Sequence, residues 1–358
     1  MTGQVAGREM AALAATEVTH LDLGCEFRGG QRQVIYLAGE QRRAGMRVRV
    51  AAPQGAPILE AALELGIQIA TLPRRRDYHP FNLLALLRIL PSSPAILHTH
   101  DARAASLGAL ARIFRRDLTL IHTRRVSYAL GQGWSRWKYR LGTLVVCVSR
   151  EVEDVVRGAG VCRTAVIPSA IVLERYSRRE SGNFGRVGII GALSPQKGHA
   201  QFFRALSLLA HVPKVWVVGD GALEADLKRQ AESLGLSEHI AWKGRVESSL
   251  VLPRLDILVV PSAHGEGSSG VIKEGWAAGV PVVCSDLPAN LELVHDEVNG
   301  LVFSNGDNAS LARQLERLLE DPALGEKLVS AGRMDVAAYD ASGMHAAYLR
   351  AYASVLPV

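Results

Sequence analysis

Two glutamates, Glu266 and Glu274, lie eight positions apart in a stretch rich in small residues, HGEGSSGVIKE. An apolar run that predicts a strand, ILVVPS, comes before them, and a segment that predicts a helix follows Gly270. A loop that leads from the carboxyl end of a strand into a helix offers unpaired N–H groups to an anion. The stretch therefore predicts an anion-binding loop that carries one acid, with a second acid inside the following helix.

The elements that must position this loop alternate in both halves of the chain. A strand from Val18 runs to Gly29 and Gly30, and a segment with helical spacing follows and ends at Gly45. In the second half, RVGIIGALSPQKGH and KVWVVGDG restart the order of strand, loop and helix. Strands that alternate with helices imply parallel sheets. The sequence predicts an α/β protein whose two domains face each other across a cleft, a common place for ligand sites.

A polar, glycine-containing stretch with little periodicity divides the two halves, as a linker would. The last segment, GMHAAYLRAYASVL, has the pattern of an amphipathic helix. The predicted organisation is an N-terminal domain, a linker, a C-terminal domain and a final helix that packs back towards the N-terminal domain, at residues 1–174, 175–186, 187–340 and 341–358.

The composition excludes several classes of protein. No run approaches the ~18–20 apolar residues that a membrane span needs, and the first residues lack the pattern of a signal peptide. The four cysteines are scattered and none forms a CxxC pair, which favours a reduced, cytosolic protein. Basic and aromatic residues form no recognised nucleic-acid module, so no nucleic-acid partner is expected.

The net charge of +6 is unevenly distributed. Residues 1–165 hold 23 Lys and Arg against 13 Asp and Glu, a net of +10, whereas the remainder has a net of −4. The front half could therefore meet an anionic partner, although arginines on solvated helix faces would give the same count. A basic, aromatic segment of this half, GWSRWKYRLG, could line an acceptor site, touch a membrane surface or simply pack.

Several histidines follow the strands of the first half. His98, His100 and Asp101 end one predicted strand, and His122 lies on the next, just before two arginines in HTRRV. The carboxyl edge of an open α/β sheet is where ligands bind. A His-x-His pair suggests a metal, but no third ligand stands at a typical spacing, so no metal site is expected.

Together these pieces resemble the family 4 glycosyltransferases, which have the GT-B fold. HGEGSSGVIKE with GWAAGVPVV resembles the signature of two glutamates separated by seven residues. GALSPQKG resembles the family's diphosphate-binding loop, WKGRV its nucleotide-base loop, and Gly29-Gly30 its N-terminal glycine loop. HTRRV follows the strand on which many members carry a catalytic-site histidine. The resemblance covers nearly the whole chain and implies two Rossmann-like domains.

The resemblance also implies roles for individual residues. Glu266 would sit beside the transferred sugar, and Lys197 would neutralise the diphosphate as it leaves, a role that suits a fixed cation. Glu274 would bond the ribose, and His122 would lie near the donor sugar. Backbone groups would hold the remaining parts of the ligands: sugar and phosphate at Gly267, Ser268, Ser269 and Gly270, the base at Arg245 and Val246, and phosphate and acceptor at Gly29 and Gly30. The fold typically uses no metal ion or cofactor.

One position departs from the family pattern. Members commonly have an arginine where this chain has Ala192, five positions before Lys197. That arginine usually shares the charge of the diphosphate. Arg124, Arg125 or the turn that begins at Arg28 could supply a second cation instead.

The expected activity is transfer of a sugar from a nucleotide diphosphate sugar to an acceptor hydroxyl, with retention at the anomeric carbon. The basic front half would suit an anionic or lipid-linked glycan acceptor, such as a phosphorylated lipopolysaccharide core, and loose docking to the inner face of the cell membrane. Two alternatives stay open. One is another GT-B enzyme, a nucleotide-sugar epimerase or a soluble-acceptor synthase, and the other is a non-enzymatic two-domain sugar-binding protein.

Overall fold

A computed structural model describes residues 16–73, 79–92, 95–179 and 185–356. They form two compact units. The first contains the described chain up to Ala170 together with the chain from Ala341 onwards, and the second is Ile171–Asp340. Of the expected linker, 175–186, residues 180–184 lie outside the described part, and the others belong to the second unit.

The first unit is built on a parallel sheet of seven strands in the order β3-β2-β1-β4-β5-β6-β7. Strands β1 and β4 are neighbours at the centre of this sheet, and their pairing begins with Glu17 opposite Ala95 and ends with Leu21 opposite Thr99. The strands are β1 Glu17–Leu21, β2 Arg47–Pro53, β3 Gln68–Leu72, β4 Ala95–Thr99, β5 Thr119–Arg124, β6 Leu144–Cys147 and β7 Thr164–Val166.

Helices connect these strands, as parallel pairing requires. Asp101 and Ser149 cap two of them with side-chain oxygens that accept backbone N–H groups of the first turn. The helices of the first unit are α1 Gly29–Arg43, α2 Pro57–Glu64, α3 Pro80–Ile89, α4 Ala102–Phe114, α5 Trp134–Arg140, α6 Arg150–Gly158 and, from the end of the chain, α14 Ala341–Ala353.

The second unit has a parallel sheet of six strands in the order β10-β9-β8-β11-β12-β13. Its inner strands β11 and β12 are wholly buried, as expected of a parallel sheet with helices on both faces. They are β8 Arg186–Ile190, β9 Lys214–Val218, β10 Ile240–Gly244, β11 Ile257–Val260, β12 Val282–Ser285 and β13 Leu301–Phe303.

The helices of the second unit include two long ones near its end, each capped by an aspartate, Asp307 or Asp321. They are α7 His199–Leu206, α8 Glu224–Ser233, α9 Ser248–Val251, α10 Gly270–Ala278, α11 Pro288–Leu291, α12 Asn308–Glu320 and α13 Pro322–Val336. Short 3-10 turns lie between them, among them Pro195–Lys197 and Ala337–Tyr339.

Helix α14 packs on the first unit although it follows the second in the chain. Met344, Tyr348 and Tyr352 are buried in one apolar cluster with Val18 of β1 and Ile96 of β4. Burial of such large side chains stabilises the helix by roughly 1.5–3 kcal/mol for each. The first unit is therefore assembled from two separate segments of the chain.

The predicted α/β class is confirmed by these two parallel, Rossmann-like sheets. Cys147 and Cys284 lie on buried strands, and burial raises the pKa of the Cys147 thiol to about 12. Among the described residues, no helix is long and apolar enough to cross a membrane.

Candidate active site

The loops after β8 and β11 lie at the point where the strand order of the second sheet reverses. β8 and β11 are neighbours, but the chain leaves β8 towards β9 on one side and leaves β11 towards β12 on the other. In open α/β sheets this point forms a crevice at the carboxyl ends of the strands, where ligands bind. The two loops carry Lys197 and Glu266, respectively.

Lys197 and Glu266 form an ion pair at this crevice. The Lys197 Nζ atom donates to Glu266 Oε1 over 2.6 Å, and the Ser262 hydroxyl donates to the same oxygen over 2.6 Å. The Glu266 side chain is only 7% exposed, whereas that of Lys197 is 26% exposed. The sequence-predicted carboxylate and ammonium are thus brought together, with the lysine on the solvent side.

Gly198 lets the two loops approach each other. Its φ angle is +69°, and a Cβ atom at this position would lie 1.7 Å from the carbonyl oxygen of Pro261. Two further hydrogen bonds join the loops, from the Ala263 N–H to the Gln196 carbonyl over 2.8 Å and from Gln196 Nε2 to the Gly265 carbonyl over 3.0 Å. Glycine is therefore required where the backbones meet.

The loop that follows Glu266 leads directly into helix α10. Ser269 is the N-cap residue, but its side chain makes no capping bond, and its buried Oγ has no hydrogen-bond partner in the described part of the chain. The N–H groups of the first helical turn carry a partial positive charge. The loop from Gly267 to Gly270 therefore brings N–H groups with partial positive charge close to Glu266, and anion binding there stays a prediction.

Two side chains of α10 point back towards its start, as helical geometry directs. Glu274 is half-buried, and its Oε1 atom lies 4.0 Å from where a Cβ of Gly270 would be, so the acid lies over the first turn. Lys273 is fully buried, and its Nζ donates to Ser268 Oγ over 2.6 Å. Burial lowers the pKa of Lys273 to about 7, although Glu274 and Glu292 act in the opposite direction.

Arg245 and Val246 lie at the same edge of the sheet but further from the crevice. They follow β10, the outermost strand, which is separated from β8 by β9. Both residues are exposed. The structure thus leaves them accessible at the carboxyl edge without joining them to the Lys197–Glu266 pair.

Gly29 and Gly30 form the first turn of α1 in the first unit. A Cβ atom on Gly30 would lie 3.8 Å from the Arg125 side chain, and one on Gly29 would meet nothing within 4 Å. Arg125 in turn donates to His100 Nδ1 over 3.3 Å. The glycine turn therefore lies next to the guanidinium group of Arg125, which in turn contacts the imidazole of His100 at the carboxyl edge of the first sheet.

His122 does not present a ring nitrogen to this edge. It is fully buried on β5, where its Nδ1 accepts from the Thr99 hydroxyl over 2.7 Å and its Nε2 donates to the Lys138 carbonyl over 3.1 Å. Burial lowers the pKa of His122 to about 3, so the ring is neutral. Both ring nitrogens of His122 are thus bonded inside the first unit, and its expected position near a donor sugar stays a prediction.

The other histidines form a buried hydrogen-bonded chain that the sequence did not reveal. His20, His98 and His100 have ring nitrogens within 4.8 Å of one another, which is close enough for a metal. Each of the six nitrogens, however, has a protein partner. The bonds run from Arg125 through His100 and His20 to Gln41, then through Tyr352 and His98 to Thr123 and Tyr348.

This chain needs every imidazole to be neutral, with one donor and one acceptor nitrogen. Burial lowers the pKa of His20 to about 4 and those of His98 and His100 well below their usual value. The directions of the bonds are then consistent from end to end. The cluster forms a hydrogen-bond network that joins α14 to the sheet.

Asp22 is a further group that sequence reasoning missed. It follows β1 at the reversal point of the first sheet and is buried, and it accepts from the Gly24 N–H over 2.8 Å and from Gln31 Nε2 over 3.0 Å. Burial, and then the neighbouring Asp101, raise the pKa of Asp22 to about 6. Its position directly after a buried strand was the signal that could have identified it.

An open α/β sheet with a cation, a carboxylate and a helix N-terminus at its reversal point is typical of enzymes that bind phosphorylated ligands. The family models agree with this geometry. The model for "Glycosyl transferases group 1" matches residues 175–335, and that for "Glycosyltransferase Family 4" matches residues 27–175. The chain belongs to this family of glycosyltransferases, so the predicted family and the predicted enzymatic nature are confirmed.

Three known proteins illustrate the similarity. A phosphatidyl-myo-inositol mannosyltransferase of Mycobacterium leprae is 28% identical over 91% of this chain and 93% of its own length. The lipopolysaccharide core biosynthesis glycosyltransferase LpsD of Rhizobium meliloti is 29% identical over 52% of this chain and 57% of its own. HepE of Anabaena, solved in complex with UDP, is 19% identical, with a TM-score of 0.83 over 94% of this chain and all of its own. Because the sequence identity to HepE is low, the structural similarity to this protein supports the GT-B fold and nothing further.

Proposed function

We propose that this glycosyltransferase moves a sugar from a nucleoside diphosphate sugar to an acceptor hydroxyl, with retention at the anomeric carbon. The observation that carries the proposal is the contact of 2.6 Å between Lys197 and Glu266 at the reversal point of the second sheet. In such a reaction the departing diphosphate gains negative charge while the anomeric carbon gains positive charge. A cation next to an anion can stabilise both charges at once.

In this proposal Lys197 contacts the diphosphate from the solvent side, and Glu266 contacts the hydroxyls of the sugar and stabilises the anomeric carbon. The N–H groups of the loop from Gly267 to Gly270 bond sugar and phosphate oxygens. Glu274 accepts hydrogen bonds from the ribose. Arg245 and Val246, exposed after β10, border the base.

The chemical step is a displacement on one face of the sugar. The bond from the anomeric carbon to the diphosphate oxygen breaks, and the bond to the acceptor oxygen forms on the same face. The proton of the acceptor hydroxyl passes to the departing phosphate oxygen. Glu266 acts through its negative charge and its hydrogen bonds, and the proposal includes no metal ion or cofactor.

The first unit is proposed to bind the acceptor. Gly29 and Gly30 leave the backbone of α1 accessible beside Arg125, and this half of the chain carries the positive net charge. Because the rings of His98, His100 and His122 are all bonded inside the unit, the group that we assign to the acceptor is Asp22, at the carboxyl end of β1. An anionic or lipid-linked glycan, such as a phosphorylated lipopolysaccharide core, suits this charge.

Peripheral contact with the inner face of an anionic membrane is part of the same proposal. Helix α5 carries Arg136 and Arg140, and its Trp137 is 43% exposed beside Trp134 at 5.0 Å between ring centroids. Tryptophan and arginine together suit the headgroup region of a bilayer. Sedimentation with neutral and with anionic vesicles at low salt tests this contact, and equal binding to both would contradict it.

The donor chemistry is tested with Glu266→Gln, Glu274→Gln and the matched control Glu232→Gln, an exposed acid on α8. A panel of nucleotide sugars in a thermal-shift assay first identifies the donor by its stabilisation of the folded protein. We expect Glu266→Gln to lower kcat by about 10²- to 10³-fold and Glu274→Gln mainly to raise KM. Glu232→Gln should leave both constants unchanged.

The product and its anomeric configuration are read by NMR spectroscopy. Retention of the donor configuration in the new linkage is expected. An inverted linkage would contradict the one-face displacement, and full turnover by Glu266→Gln would contradict the assigned role of this carboxylate. Release of an epimerised sugar nucleotide without any acceptor would show a different enzyme of this fold.

A further inference from the structure

Lys273 is a lysine in an unusual environment. It lies on α10, and its side chain is among the largest that are fully buried in the protein. Lysines are almost never fully buried without a compensating partner, since burial removes water from a charged ammonium group. A lysine kept at such a position therefore calls for a physical explanation beyond packing.

The ammonium group of Lys273 lies beneath the loop that follows Glu266. Its Nζ donates to Ser268 Oγ over 2.6 Å and lies 4.6 Å from the centroid of the Tyr339 ring. Ser268 is partly exposed, so the hydroxyl joins the buried ammonium to the surface of the loop. The charge of Lys273 is thus placed behind the N–H groups of the first turn of α10.

Without Lys273, the positive charge at this loop is too small to balance a diphosphate. Lys197 is already paired with the carboxylate of Glu266 at 2.6 Å, and the sum of that pair is zero. Lys273 faces the carboxyl groups of Glu274 and Glu292, so without its ammonium the side chains at this loop would carry no net positive charge. A helix N-terminus adds only about half of an elementary charge. A diphosphate carries at least two negative charges, and Ala192, in the loop after β8, contributes none.

The arginines of the first unit are engaged elsewhere. The Arg124 guanidinium lies over the rings of Tyr128 and Tyr139, at 5.3 and 5.6 Å. Arg125 donates to His100. These contacts lie within the first unit, whereas Lys273 belongs to the second unit and contacts its loop directly.

We propose that Lys273 supplies the second positive charge for the diphosphate of the donor, acting from behind the loop through Ser268. It is a positioning residue, because its ammonium group bonds Ser268 and raises the positive electrostatic potential at the loop without touching the ligand. The inference rests on the proposed function, since it assumes that a diphosphate binds at this loop. A bound anion favours the protonated form, so binding raises the pKa of Lys273 from about 7.

The test compares Lys273→Met with Lys214→Met. Methionine keeps the unbranched shape of lysine and removes the charge. Lys214 is an exposed lysine at the amino end of β9, opposite to the ligand edge, so its variant changes the net charge equally without affecting the loop. Isothermal titration with uridine, UMP and UDP, and with the matching guanosine series, separates the affinity for the base from the affinity for phosphate.

We expect Lys273→Met to weaken the binding of the nucleoside diphosphate at pH 7 by roughly ten- to thirtyfold, the effect of one charge several ångströms away. Binding of the nucleoside itself should be unchanged, and Lys214→Met should match the wild type throughout. Equal weakening of nucleoside and diphosphate would show a merely structural role and would overturn the inference, as would unchanged diphosphate affinity.

The dependence on pH gives a second measurement. The groups that face the Lys273 ammonium are Glu274, Glu292 and Tyr339. Between pH 7.5 and 9.5, where a diphosphate is already fully ionised, the affinity of the wild type for the diphosphate should fall as Lys273 loses its proton. The affinity of Lys273→Met should stay flat over this range. A wild-type affinity that does not change would count against the inference.

Failure of the proposed function and failure of the inference about Lys273 give different results. If the wild-type protein binds no nucleoside diphosphate, both the proposed function and this inference fail. If it binds one and Lys273→Met binds it equally well, only the inference fails. Should Lys273→Met not fold, Ser268→Ala removes the hydroxyl that joins the ammonium to the loop, and it should weaken diphosphate binding two- to fivefold. No change in that variant would overturn the inference.

Discussion

Replacement of Gly198 by alanine should separate the loops that carry Lys197 and Glu266. Two effects act together at this position. The φ angle of +69° costs a residue with a Cβ atom about 1–2 kcal/mol. In addition, the new Cβ would lie 1.7 Å from the Pro261 carbonyl oxygen, whereas an ordinary C···O contact is about 3.3 Å.

The two backbones must therefore move apart by roughly 1.5 Å, because neither side of the contact is a flexible side chain. Such a movement strains the hydrogen bonds of Gln196 and lengthens the contact of 2.6 Å between Lys197 and Glu266. A misplacement of about 1 Å at a reacting centre can cost about 10²-fold in rate. We expect a loss of that size in kcat/KM, with a loss of stability of about 3 kcal/mol.

Gly235→Ala is the matched control. Gly235 has a φ angle of +70°, nearly the same as that of Gly198, but a Cβ atom there would meet nothing within 4 Å. It should lose about 1 kcal/mol through backbone strain and retain full turnover. Urea unfolding followed by circular dichroism measures the stability, and sugar transfer from the identified donor measures the activity. If Gly198→Ala matched Gly235→Ala in both assays, the close approach of the loops would have no role in the chemistry.

Three further predictions concern buried polar groups. Tyr352→Phe should lose about 1–3 kcal/mol of stability, because it leaves His98 and Gln41 without their shared hydroxyl partner, while Tyr128→Phe, at an exposed position, should lose nothing measurable by urea unfolding. His20 alone should lower the free energy of unfolding by roughly 3 kcal/mol as the pH drops from 6.5 to 4, because the unfolded residue binds a proton there that the buried ring, with a pKa of about 4, does not. The lowered pKa values of His98, His100 and His122 add to this fall, and a flat profile would refute the reasoning. Lys273→Met should be at least as stable as the wild type in ligand-free buffer, because a buried charge is removed. It should also lack the rise in stability that we expect of the wild type from pH 7 to 10, where unfolded Lys273 binds a proton that the buried side chain, with a pKa of about 7, does not.

The sequence predicted those parts of the site that depend on residue type and on the order of elements. Glu266, Lys197 and the loop from Gly267 to Gly270 follow strands β8 and β11, and the carboxyl ends of neighbouring parallel strands bring such loops together. Their roles toward a donor remain predictions. The 2.6 Å contact between the two charged groups could not be predicted, because it depends on how closely the loops approach at Gly198.

The sequence was least informative where burial decides the state of a side chain. His122 lies within β5 rather than beyond its end, and the alternation of a strand does not reveal which partners saturate its nitrogens. Lys273 stands in a helical segment like many exposed lysines, so only packing reveals that it is buried. The hydrogen-bonded chain that contains these histidines joins residues up to 311 positions apart, and no local sequence pattern predicts such a contact.

The last helix of the chain has a consequence for synthesis. The core of the first unit contains Met344, Tyr348 and Tyr352, which leave the ribosome after the whole of the second unit has been made. The second unit is continuous in sequence and can complete its core first, although it begins later. Until α14 emerges, the neighbouring strands keep apolar surface and the imidazoles of His20 and His98 exposed to water. During translation, the first half of this protein is therefore expected to be the last to reach its native state, and to be the half that depends on chaperones.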